Sequence, residues 1–90
     1  MRMILNSESS HKLGELNPGE KGEIIGFCID DDYQSFLHRL CEVGFIVGES
    51  VEVLQDAPIG HDPISIRVKD AVYALRREDA NLIRVVKANS

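Results

Sequence analysis

Three histidines and two cysteines are the side chains of this 90-residue sequence best suited to chemistry, and binding a divalent transition metal is what their types allow. His38 has Cys41 at i+3 and Glu42 at i+4, so on a helix both partners sit beside the imidazole and the trio forms half a metal site. A fourth ligand has to come from elsewhere. The preferred reading is plainer: a surface histidine beside a carboxylate, with Cys41 at the margin of the core, where a free thiol acts as a small hydrophobe. Cys28, between apolar neighbours, reads as a core residue. His61 beside Asp62 offers a weak metal contact or a solvated imidazole. Asp30, Asp31 and Asp32 lack the spacing and terminal glutamate of a calcium loop and read as the start of a helix. For catalysis there is no phosphate-binding loop, no pair of CxxC motifs and no Ser, His and Asp set at a recognisable spacing. The expectation is a non-enzyme without a cofactor.

Short strands must position these groups. Val51 and Val53 flank Glu52, and Ile64, Ile66 and Val68 alternate with Ser65, Arg67 and Lys69, the period of strands half-buried on a core. Between them Pro58, Gly60 and Pro63 punctuate a turn that neither strand can run through. A first strand is expected over 22–29, apolar on both faces, with Gly26 inviting a bulge. A helix follows over 33–43, opened by the aspartates with Asp31 and Gln34 as a capping box. Its apolar stripe is Phe36, Leu37, Leu40 and Val43, and Gly44 ends it with Phe45 folding back on the last turn. Lys69-Asp70 reads as a two-residue hairpin. A strand over 72–75, a helical turn over 77–81 and a closing strand over 83–86 complete the chain. Near the start, Ser10 is expected to cap a short helical turn carrying Leu13 and Leu16. The fold class is therefore mainly β, a small barrel of about five strands with one inserted helix. Residues 1–9 read as a flexible tail and 10–90 as a single domain.

Ninety residues bury ~60–65% of the unfolded chain's surface, which leaves little room for a deep catalytic cavity and favours a binding module. No apolar run approaches the ~20 residues of a membrane span, and no secretory segment is legible at the start. A cytoplasmic location with reduced thiols is the expectation, without insertion into a membrane. The formal charge of −5 argues against general nucleic-acid binding, yet it is polarised: the chain carries −8 before Arg67 and +3 from there on. Pro58 and Pro63 stiffen an exposed turn, and Arg39, Arg76 and Arg77 offer guanidinium groups for carboxylates on a partner.

Four segments in order carry a likeness: Leu13-Gly14-Glu15-Leu16-Asn17-Pro18-Gly19-Glu20, the run from Arg39 to Gly48, Asp56-Ala57-Pro58-Ile59-Gly60 with Asp62-Pro63-Ile64, and Ala74-Leu75-Arg76-Arg77-Glu78-Asp79-Ala80. Together they resemble the FeoA family over residues 13–86. The resemblance implies an SH3-like barrel that binds and modulates the ferrous iron membrane GTPase permease FeoB. Where the family reads Gly-Asp-Pro this sequence has Gly60-His61-Asp62-Pro63, one residue longer, and Asp70 stands where glycine is common. The partner-binding residues expected are Arg39, Pro58, Gly60, Asp62, Pro63, Arg76 and Arg77. The alternative is a metal-responsive regulatory module, because a similar domain is appended to iron-dependent repressors, and a weak homo-oligomer stays open.

Overall fold

Alternating valines and isoleucines need one apolar side to lie against, and a single curved sheet supplies it. The computed structural model describes residues 10–28, 31–58 and 60–88. Its strands are β1 (Ser10–Lys12), β2 (Lys21–Phe27), β3 (Ser50–Asp56), β4 (Ile64–Val68), β5 (Ala71–Leu75) and β6 (Ile83–Lys87). They form one antiparallel sheet in the order β1-β6-β2-β3-β4-β5. Inward residues from four of these strands, among them Ile24, Val51, Val53, Ile64, Ile66, Val68, Ile83 and Val85, share one cluster with Leu13, Leu16, Leu40, Phe45 and Ala80. A flat sheet could not bring them together. The curvature is helped by two bulges, between Ile24 and Gly26 in β2 and between Val53 and Gln55 in β3, since an extra residue bends a strand and increases its twist.

Helix α1 (Gln34–Val43) is inserted between β2 and β3, and α2 (Arg77–Ala80) joins β5 to β6. The expected end of α1 is observed. Gly44 is left-handed at φ 116°, its N–H reaches the Cys41 carbonyl at 3.2 Å, and the Phe45 N–H reaches the Leu40 carbonyl at 2.9 Å. That is the Schellman pattern, and it drops Phe45 into the core edge-to-face with Tyr73, ring centres 5.8 Å apart.

Several expectations are corrected. The described residues form six strands, because Ser10 is not a cap but opens β1, paired to β6 through Ser10↔Val86. The turn behind it is a 3-10 turn over Leu13–Glu15, whose start is held by the Lys12 N–H donating to Glu15 Oε1 at 3.0 Å. Cys28 is exposed, not core: the bulge slips the alternation by one, so Phe27 packs on the cluster after Ile24 and Cys28 turns outward. Cys41 is exposed too. Of the helical stripe, Leu40 is buried and Phe36 packs on the core, whereas Val43 is 39% exposed. Helix α1 starts from a 3-10 turn over Asp31–Tyr33, with Tyr33 at its N-cap and no capping side-chain hydrogen bond from it. At the hairpin the positive φ falls on Lys69 (55°), leaving Asp70 unstrained. The expected tail over 1–9, the strand end at Ile29, Asp30 and the side chain of Asp31 lie outside the described residues.

Candidate partner-binding site

Two edge strands, β1 and β5, end in short helical turns, and Arg77 joins those turns. Its guanidinium donates to the Gly14 carbonyl in the Leu13–Glu15 turn and, through Nη2, to the His61 carbonyl at 2.8 Å. The same Nη2 lies 3.5 Å from Asp56 Oδ2. Its backbone N–H, one of the orphan donors at the start of α2, donates to Asp62 Oδ1 at 2.7 Å. One residue thus ties the proline-rich turn, the end of β3, the 3-10 turn and α2 together. The approach is so close that a Cβ on Gly14 would sit 2.1 Å from Asn81 Oδ1 and 2.9 Å from the Arg77 carbonyl. Glycine is required there for space.

The extra residue in the turn has a definite place. Gly60 and His61 both take positive φ, 77° and 56°, and the Ala57 N–H closes the turn on the Pro63 carbonyl at 3.1 Å. His61 thereby presents its carbonyl to Arg77 and its Nδ1 to Asp56 Oδ2 at 3.1 Å. Asp62 points at α2.

Above this joint lies an open groove of about 360 Å³ lined by Asp62, Pro63, Arg76 and Glu78. It brings together three of the residues singled out from the sequence, with Pro58 and Gly60 exposed on the same turn. Arg77 lies beneath it, and its side chain serves the fold. Arg39 is exposed on α1 and does not line the groove. Glu78 was missed; its only signal is its position two residues after Arg76 at the start of a helical turn. Two other concavities, about 280 Å³ along Lys21, Glu49, Glu52, Arg67 and Lys69 and about 230 Å³ beside Glu20, Lys21 and Lys87, have every charge but that of Lys21 paired among the described residues. Arg67 meets Glu52 at 3.3 Å, Lys69 meets Glu49 at 3.1 Å, and Lys87 meets Glu20 at 3.1 Å. Arg76 and Glu78 have no such partner within the described residues, so their charge is available to another molecule.

The metal half-site does not assemble. His38 Nε2 pairs with Glu42 Oε2 at 3.2 Å on the open face of α1, and among the described residues no three of His, Cys, Asp and Glu converge. No helix of the described residues is long and apolar enough to cross a membrane.

The FeoA domain model matches residues 11–87. The chain belongs to the FeoA family. It is 36% identical over 74 residues to the Fe(2+) transport protein A/Fe(2+) transporter FeoB fusion protein of Porphyromonas gingivalis (strain ATCC BAA-308 / W83), a match over 82% of this chain and 8% of that protein. The chain therefore corresponds to a small part of that relative. The solution structure of FeoA from Chlorobium tepidum aligns with a TM-score of 0.77 at 28% identity, covering 87% of this chain and 70% of the other. The crystal structure of Stenotrophomonas maltophilia FeoA complexed with zinc, described as a prokaryotic SH3 domain protein, aligns with a TM-score of 0.72 at 27% identity over 81% and 86% of the two chains. The fold is SH3-like, and every segment that carried the likeness in the sequence falls within the matched region.

Proposed function

We propose that this FeoA-family chain is a non-enzymatic cytoplasmic accessory protein in ferrous iron uptake, which binds and modulates a FeoB-type membrane GTPase permease. The observation that carries this reading is the fused relative, in which a segment like this chain shares one polypeptide with FeoB. Fusion holds two modules at an effective concentration of about millimolar, the arrangement that favours a weak, functional contact. The contact surface we assign is the groove of Asp62, Pro63, Arg76 and Glu78, flanked by Pro58 and Gly60, with Arg77 positioning it from below and Arg39 as a second contact on α1. The free guanidinium and the stiff turn suit a carboxylate-bearing partner surface. Pull-down with the full permease and with its soluble GTPase domain, at low salt, tests the reading. Retention by either supports it, and retention by neither sinks it.

A metal-responsive module is the second reading, favoured by the zinc complex of the Stenotrophomonas relative. The side chains described here do not form a ready site for it, since the best trio leaves Cys41 outside any three-ligand cluster. Anaerobic calorimetry with ferrous ion separates the readings: micromolar binding lost in the His38→Ala, Cys41→Ala variant supports the module, and no heat removes it.

A further inference from the structure

Ala71-Val72-Tyr73-Ala74-Leu75 contains no charge, no proline and no glycine, the devices that usually guard the edge of a sheet. It is an edge among the described residues, where β5 pairs with β4 alone. The Lys69-Asp70 hairpin closes on the pair Val68↔Ala71, and a two-residue turn closes on a hydrogen-bonded pair. Hydrogen-bonded and non-hydrogen-bonded pairs then alternate, so Ile66↔Tyr73 and Ile64↔Leu75 share ladder bonds while the N–H and C=O of Val72 and Ala74 point away from β4. No other backbone or side-chain group among the described residues pairs with them. Both residues are exposed, Val72 at 54%.

We propose that β5 pairs antiparallel with β5 of a second copy of this chain, about a twofold axis at Tyr73. In that register Val72 lies opposite Ala74 of the second copy, and each pair exchanges both outward N–H···O=C bonds. Counted on past the strand ends, the register brings the hairpin residue Asp70 level with Arg76, the residue after β5, of the second copy, and the symmetry repeats the pair. Neither Asp70 nor Arg76 has an ion-pair partner within the described residues, so the flanks are charge-complementary. A shift of two residues one way sets Asp70 against Ala74, and the other way carries it toward Glu78. Charge therefore selects the register. So short an edge places the contact at the low end of interface sizes, with a Kd of about 10–1000 µM.

Sedimentation equilibrium from about 10 µM to about 2 mM chain spans that range and is the test. The expected result is a concentration-dependent rise from the 10.0 kDa monomer toward twice that mass. Ala74→Pro deletes an amide that donates to nothing among the described residues, so it should keep the fold by circular dichroism and stay monomeric. Asp70→Arg and Arg76→Asp should each weaken self-association about tenfold or more by setting like charges opposite one another. An equimolar mixture of those two variants should regain it, because each then faces the opposite charge. A wild-type mass fixed at 10.0 kDa throughout, a folded Ala74→Pro variant that dimerises like wild type, or a mixture that fails to recover overturns the proposal. If Ala74→Pro does not fold, the mixture decides.

Discussion

Replacing Arg77 by alanine removes the joint between the two ends of the sheet while leaving its backbone bond to Asp62 in place. Two hydrogen bonds from a charged donor are lost, each worth about 1.5 kcal/mol at the low end appropriate to a side chain that is 33% exposed. The 3.5 Å pair with Asp56, partly exposed on both sides, adds no more than about 1 kcal/mol. The Gly14 carbonyl, within a buried residue, is left without its donor. The sum is about 3–4 kcal/mol, a large share of the total for a domain of this size and a fall in Tm of roughly 12–32 °C. Urea unfolding followed by circular dichroism measures it. Arg77→Lys should recover less than half, because one ammonium cannot fork across two carbonyls on different loops. A loss below about 0.5 kcal/mol in Arg77→Ala, or full recovery in Arg77→Lys, would refute the role given to this residue.

Gly14→Ala should cost about 1–3 kcal/mol or more in the same assay, because its Cβ meets the Arg77 carbonyl as well as the Asn81 side chain and backbone cannot swing aside. Glu20 is held below the usual glutamate range by the Asn17 N–H, which donates to it at 2.6 Å, and by Lys87. A depressed carboxylate contributes stability above its unfolded pKa and loses it as pH falls through the folded one, so Glu20→Gln should be less stable than wild type near neutral pH and converge on it in acid. A difference that persists at low pH would contradict that origin. Cys28 and Cys41 should both react with a thiol reagent in the native protein, with unfolding adding no further thiols.

Much of the barrel was legible because its strands alternate cleanly: Val51/Val53 and Ile64/Ile66/Val68 face inward as their spacing requires. Gly44-Phe45 was legible for a different reason, since a left-handed terminus followed by a hydrophobe is a local motif. Strand β1 was not, being three residues without alternation and held to β6 by backbone pairing. Cys28 was misplaced because a bulge shifts the phase of everything after it, and sequence shows that a glycine invites a bulge without showing which face follows. Within the candidate site, the turn and the arginines could be read, but the division of labour between Arg76 and Arg77 could not. It depends on contacts across 63 residues of chain that bring Gly14 beneath α2.

A permease partner is tested by a binding titration of this chain against a FeoB-type permease, full-length in detergent and as its soluble GTPase domain, at low and high salt. Saturable binding is expected, weakening with salt and falling about tenfold or more in Arg76→Glu with the fold unchanged. No binding to either form, or binding indifferent to Arg76→Glu, would contradict the proposed contact.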